Sequence, residues 1–372
     1  MLAALSRLRS RFATVRSYGQ FVLANALPHR GFGKPRAVVC LDGTFPDIHD
    51  RRYFYLILQT LLDGGYQVDV VWKISIGDYR RLYRTYEGLI VRLKGLRVVS
   101  KCPKPSKSTL LITNVAGKIS EFGWKKVIEV DCDILTPRHS DHELRMPYFM
   151  HPEQYKYDAR RRLAEMQSTH RQLRIFFSGN VAEEFYSTGL PGNKLTRFEI
   201  VQALRTMPGV EKPSDEKEFQ EVFSRRDNCC VVHDRRSFAV ADEDWLETIA
   251  RSDFFLCLPG SRMPMCHNVI EAMAVGTIPI LNYAEWFDPP LKHGETCIEF
   301  NTVEELRGRI AEILNFTTDA VQATRERVIR YYEDHLSPGG FRKKLEESPY
   351  DHMKLIVNTA YPWETAPVLL KL

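Results

Sequence analysis

Short apolar runs bounded by glycine and proline, alternating with stretches whose apolar residues recur at helical spacing, set the pattern of this chain. The clearest instance runs from Arg251 to Asn282, RSDFFLCLPGSRMPMCHNVIEAMAVGTIPILN. It predicts a buried strand over 254–258, a Pro-Gly loop, a helix carrying Asn268 and Glu271, a turn at Gly276 and a second buried strand over 277–281. Two unbroken apolar runs with a helix between them mark a βαβ unit in a parallel sheet, whose strands are covered on both faces. Ligands bind such sheets at the carboxyl ends of the strands. The loop after Leu258 and the start of the following helix are therefore expected to form one wall of a site.

The same alternation opens the chain. A strand over 37–41, the loop DGTFPDIHD, an amphipathic helix over 52–63, a Gly64-Gly65 stop and the strand YQVDVVW form a second βαβ layout. Strands are expected at 96–99, 109–113 and 126–130, and a basic, aromatic helix at 78–93. The run from Val127 to Tyr155 begins as a strand and becomes a long loop rich in Pro, His and Asp; long irregular segments in compact domains are functional or linking. A helix over 156–172 leads into RIFFSGN, a strand ending at Ser178 and Gly179. Then come a helix from Thr196, a good N-cap, to about 206, the strand CCVVH, a loop with Arg235 and Arg236, and a helix over 242–250. A short strand is expected at 299–300, helices at 303–314 and 320–335, and a last helix at 349–357.

These elements predict an α/β protein of two Rossmann-like domains whose parallel sheets face each other across a cleft. The expected division is a basic amphipathic segment over 1–35, an acceptor domain over 36–155, a nucleotide-binding domain over 171–340, and a C-terminal helix and tail over 341–372 that packs back on the first domain. A length of 372 residues fits two cores better than one.

Charge changes the picture only once it is located. The net charge of +5 comes from residues 1–36, which hold seven Lys or Arg and no acid; the remainder carries 45 basic and 47 acidic residues. A near-neutral body lacks the basic face that nucleic acid requires. Leu2, Leu5, Leu8, Phe12 and Val15 lie at helical spacing with arginines between them, so residues 1–27 suit an anionic membrane surface; a helix packed on the body and a transit peptide are the alternatives. No run approaches the roughly 18 apolar residues of a membrane span, and Arg7, Arg9, Arg11 and Arg16 interrupt any secretory h-region. Eight scattered cysteines without a CxxC pair fit a reducing compartment. The expected location is cytoplasmic, on the inner face of a membrane.

The candidate chemistry gathers on the second domain. Gly260 and Ser261 let backbone N–H groups approach a diphosphate at the N-terminus of the next helix. Glu271, about one turn into that helix, is a candidate acceptor for ribose hydroxyls. The span from about Arg174 to Phe300 resembles the exostosin family of glycosyltransferases on four pieces: RIFFSGN, the helix beginning at Arg197, WLETIARSDFFLCLPG and IEAMAVGTIPILN. That resemblance covers roughly a third of the chain. It implies the GT-B architecture, a nucleotide-diphosphate sugar donor (a UDP sugar first) and a glycan or lipid-linked acceptor, as in polysaccharide biosynthesis. Ser178, Gly179, Arg197, Arg235, Gly260, Ser261, Arg262, Asn268 and Glu271 would then form the donor site.

Two departures qualify it. Asn268 stands where the exostosin pattern commonly has Arg, leaving the phosphate charge to Arg262, Arg235 or Arg197. Met263 stands where retaining enzymes of the glycogen-synthase type often carry a second Glu, which favours inversion. Inversion needs a general base, for which Asp42, after the first strand, ranks first; Asp47, His49, Asp50 and Glu153 are further candidates, and His151 is a second catalytic one. Asp131-Cys132-Asp133 matches a three-residue metal motif of another glycosyltransferase fold, but no metal or other cofactor is expected, and His139, His142 and His151 fit no common zinc spacing. A retaining transferase and a non-catalytic nucleotide-sugar-binding protein recruited to membranes are the competing readings.

Overall fold

The computed structural model describes residues 33–41, 52–72, 95–114, 122–131, 142–145, 150–151, 153–154, 159–189, 194–225, 228–261 and 264–357, with single positions at 15–16, 18–20, 23, 90, 93 and 140. The chain forms two compact units. One comprises Met1–Asp133, His139–Met146 and Phe341–Leu372, the other Ile134–Arg138 and Pro147–Gly340.

The first unit is built on a seven-stranded sheet of order β3-β2-β1-β4-β5-β13-β6, with every pairing parallel. Its strands are β1 (Arg36–Cys40), β2 (Gln67–Val71), β3 (Leu96–Val99), β4 (Thr109–Thr113), β5 (Lys126–Asp131), β6 (Glu143–Arg145) and, from the far end of the chain, β13 (His352–Ile356). Helix α1 (Arg52–Asp63) has the expected bounds. It buries Tyr53 through Leu58 and Leu61, and stops where Gly65 adopts φ +87°, a conformation glycine reaches without a Cβ clash.

The last strand overturns an expectation. Residues 352–356 do not continue a helix; β13 inserts between β5 and β6, pairing Leu355 with Val130 and with Leu144. Its pattern shows why: His352 and Lys354 are exposed while Met353 and Leu355 are buried, the period of two that a strand requires. Just before it, Lys126 Nζ donates to the carbonyls of Leu345 (2.8 Å) and Ser348 (2.7 Å), and Tyr66 Oη donates to Glu346 (2.6 Å).

The second unit carries a six-stranded sheet of order β12-β11-β10-β7-β9-β8, again wholly parallel. In chain order the elements are α2 (Leu163–Gln167), β7 (Leu173–Gly179), α3 (Glu183–Tyr186), α4 (Arg197–Arg205), β8 (Val210–Glu211), α5 (Glu216–Arg225), β9 (Cys230–Asp234), α6 (Trp245–Ala250), β10 (Ser252–Leu256), α7 (His267–Ala274), β11 (Ile278–Leu281), β12 (Ile298–Glu299), α8 (Val303–Leu314), α9 (Thr318–Tyr331) and α10 (Pro338–Glu347), the last crossing into the first unit. The helix expected over 156–172 is shorter, a 3-10 turn over Ala159–Arg162 followed by α2.

Phenylalanines fill this core: Phe176, fully buried, meets Phe219, Phe223 and Phe255 edge-on at 5.4–5.9 Å between ring centroids. Arg171 donates to the carbonyls of Ala250 and Val275 at the C-terminal ends of α6 and α7, where a cation suits the helix dipoles. At the return from α7 to β11, Gly276 has φ +73°, and a Cβ there would lie 2.9 Å from the Ile329 side chain. The expected tight turn therefore admits only glycine without rearrangement.

β7 fixes where a ligand can sit. It is first in sequence in its sheet, with β9 on one flank and β10 on the other. The chain leaves β7 towards β8 and β9 and later crosses to β10. Connections that diverge in this way open a crevice at the carboxyl ends of the flanking strands.

No helix of the described residues is long and apolar enough to cross a membrane. Of residues 1–27 only 15–16, 18–20 and 23 are described, all helical; the amphipathic face expected there lies outside the described residues, as do the expected helix over 78–93 except Ile90 and Leu93, and Asp47, His49, Asp50 and His139.

Candidate active site in the second unit

The crevice at β7 is a cleft of about 280 Å³. The end of β7 supplies Ser178, Gly179 and Asn180, and α3 and α4 supply Tyr186 and Arg197. The loop after β9 gives Arg235, Val240 and Asp242, leading to Trp245 at the start of α6. Cys266, His267 and Asn268 come from the start of α7, and His151 and Gln154 from the segment before α2.

Arg197 is the central cation. Thr196 starts α4 with a capping box, its hydroxyl accepting from Glu199 N–H while the Glu199 carboxylate accepts from Thr196 N–H. This fixes the first turn and aims Arg197 inward, where it is 6% exposed. Its guanidinium donates to the carbonyls of Pro259 (3.0 Å), Asn180 (3.1 Å) and Leu258 (3.4 Å) and to Cys266 Sγ (3.2 Å), and lies 4.1 Å from the Tyr186 ring centroid. Every one of these partners is neutral. A buried, permanently charged group that meets no carboxylate among the described residues leaves a positive field in the cleft.

A second cation follows from how Asp234 is used. Arg236 (2.6 Å) and Arg205 (3.5 Å) both pair with Asp234, while the side chain of Arg235 meets no carboxylate among the described residues and is exposed at the cleft. Its own N–H donates to Gly179 O (3.2 Å), which ties the loop to β7. At the start of α7 the N-cap is Cys266, which offers no side-chain acceptor to the first N–H groups. Next to it, Asn268 is buried with its amide oxygen unpartnered, a group that a bound ligand or water satisfies. Gly179 keeps the wall thin, since a Cβ there would come within 2.9 Å of the Phe177 ring and 3.6 Å of Arg197.

Below the cleft, Ser178 Oγ and His233 Nδ1 are 2.9 Å apart. His233 is fully buried beside Phe219 and Phe238, and burial pushes its pKa down to about 4. It is therefore neutral at pH 7. An unfolded chain titrates near 6.5 and binds the proton first as pH falls. We expect stability to decline from about pH 6.5 to about pH 4 through this group, and His233→Gln to flatten that part of a urea-midpoint profile.

Several expectations are corrected. Glu271 does not line the cleft: it is fully buried, one carboxylate oxygen accepting from Trp245 Nε1 (2.6 Å) and the other from His151 N–H (2.8 Å). Gly260 and Ser261 are described but stand outside the lining, with Gly260 N–H on the Pro264 carbonyl (3.1 Å). His151 belongs to the second unit rather than the first, and its ring is 5.0 Å from that of His267. Ser178, Gly179, Arg197, Arg235, Asn268 and His151 are brought together. Asp42 and Arg262 lie outside the described residues, as do Cys132 and Asp133 of the acidic triplet. Among the described residues, no group of three or more His, Cys, Asp or Glu is placed to hold a metal ion.

Sequence reasoning passed over Tyr186, Asp242, Trp245, Cys266 and His267. Cys266 and His267 were legible as neighbours of Asn268 at a helix start; Tyr186 carried no signal, because only the fold brings it to Arg197.

No family model matches the chain, and no curated protein does. Among solved structures it is similar to Anabaena HepE in complex with UDP and glucose, at 11% identity over 83% of this chain and 98% of that one, with a TM-score of 0.41. The N-terminal domain of Candida albicans trehalose-6-phosphate phosphatase gives 9% identity over 86% and 98%, with a TM-score of 0.43. A mutant O-GlcNAc transferase of Thermobaculum terrenum gives 13% over 89% and 73%, with a TM-score of 0.37.

Proposed function

We propose that the chain is an inverting glycosyltransferase of exostosin-like, GT-B type that moves a sugar from a nucleotide-diphosphate sugar, UDP-linked first, to a glycan or lipid-linked acceptor. One observation carries this reading: the guanidinium of Arg197 is buried among neutral partners at the carboxyl ends of parallel strands, beside a helix N-terminus without a side-chain cap, an arrangement suited to an anion. A diphosphate suits it, and Arg235 adds charge from the rim. With this charge supplied by protein, the leaving diphosphate needs no metal of its own. The resemblance over Arg174 to Phe300 supports the same substrate class.

In the proposed reaction the acceptor oxygen bonds to the anomeric carbon, the acceptor hydroxyl gives its proton to a general base, and the anomeric C–O bond breaks with its electron pair going to the diphosphate. Asp42 is proposed as that base from its sequence position after β1. Product anomeric configuration, read by NMR, separates inversion from retention. Residues 1–27 are proposed to hold the protein at the cytoplasmic face of an anionic membrane.

The direct test is a thermal-shift screen with UDP, GDP and ADP, in which a binder raises Tm with the logarithm of its concentration. Because Arg235 is exposed and its side chain has no partner among the described residues, Arg235→Ala should leave Tm of the free protein unchanged and weaken the diphosphate about tenfold, the order expected for one charge-assisted contact. Absence of any shift with every nucleotide would remove the donor reading.

A further inference from the structure

We propose that Asp242 is the carboxylate that receives the ribose hydroxyls of the bound nucleotide, and that Glu271 is a positioning residue that fixes the wall around it. The inference rests on the nucleotide-binding reading above and assigns a specificity contact within it.

Recognition of a hydroxyl needs an accessible oxygen lone pair. Glu271 offers none to the cleft: the residue is fully buried, and its two oxygens hold the Trp245 indole N–H (2.6 Å) and the His151 backbone N–H (2.8 Å). A ligand that displaced either donor would leave it buried and unpaired, which costs as much as the new bond returns. Asp242, in contrast, lines the cleft with an exposed side chain that has no ion pair or hydrogen bond among the described residues.

Its backbone is nonetheless held. The Asp242 carbonyl accepts from Gln154 Nε2 at 3.1 Å, and Gln154 is buried. Three residues on, Trp245 is anchored by Glu271. The segment at 151–154 is thus fastened twice, by His151 N–H to Glu271 and by Gln154 to the Asp242 carbonyl. Among the described residues Glu271 acts on the ligand through these groups. A free acceptor on a fixed backbone is the arrangement that discriminates a hydroxyl-bearing ligand from one lacking it.

The experiment compares UDP, GDP and ADP with their 2′,3′-dideoxy counterparts by calorimetry on the full chain. The wild type should bind the ribonucleotide about tenfold more tightly, the effect of one or two lost hydrogen bonds. Asp242→Ala, at an exposed position, should fold normally and reduce that ratio to about one. Glu271→Gln should keep the ratio even if overall affinity falls, because one of the two donors loses its acceptor. Loss of the ratio in Glu271→Gln, or its survival in Asp242→Ala, overturns the assignment; should Glu271→Gln not fold, the Asp242→Ala result decides alone. Failure of all three ribonucleotides to bind the wild type would sink the nucleotide reading itself, and this assignment with it.

Discussion

Replacing Arg197 with Met should abolish nucleotide-dependent stabilisation and also weaken the second unit by about 3 kcal/mol, read from urea unfolding. The double effect follows from the two tasks of one side chain. Its N–H groups satisfy the carbonyls of Asn180, Leu258 and Pro259 where the chain leaves β7 and β10. Removing the donor strands those acceptors at about 1 kcal/mol each or somewhat more. The same change removes the charge that would meet a phosphate. Arg197→Lys separates the tasks: an ammonium restores charge without the planar fork needed to reach several carbonyls. The lysine variant should therefore regain part of the UDP affinity and little of the stability. A variant lacking Arg197 that still gave the wild-type Tm rise with UDP would remove the anion site.

Leu355→Asp should unfold the first unit's sheet around β13 while the second unit persists. Leu355 is 1% exposed and sits between β5 and β6 in the ladder. The change forfeits the burial of an isobutyl group and places a carboxylate in a buried strand position, a combination worth about 4 kcal/mol or more. Lys354 is the internal control: it points outward and pairs with Asp131 at 3.3 Å on the surface, so Lys354→Ala should change stability by less than about 0.5 kcal/mol. Hydrogen exchange reads the outcome locally. Amides of β5 should lose protection in Leu355→Asp while those of β7 keep it, and equal protection in β5 before and after would mean that β13 is dispensable.

The sequence was most legible where one period dominated a long enough window. Arg52–Asp63 reads as a helix because Phe54, Ile57, Leu58, Leu61 and Leu62 mark one helical face and two glycines end it. β7, β10 and β11 read as buried strands because apolar runs between Gly and Pro have few other solutions in a parallel α/β protein. His352–Ile356 was missed because five residues after a helix carry too little periodicity to declare a strand. Only the sheet, with a gap between β5 and β6, makes the alternation decisive.

At the site, residue type was legible and partnership was not. The chain itself determines an α/β protein with two parallel sheets, a cleft at the carboxyl ends of the second, and the presence there of Ser178, Gly179, Arg197, Arg235 and Asn268. Tertiary structure alone decides which charges stay available. It pairs Asp234 with Arg205 and Arg236 and leaves Arg235 open. It surrounds Arg197 with carbonyls and buries Glu271 under Trp245 and His151. Hydrogen bonds between residues 26 and 120 positions apart depend on how helices and loops pack, and no local pattern of the chain encodes them.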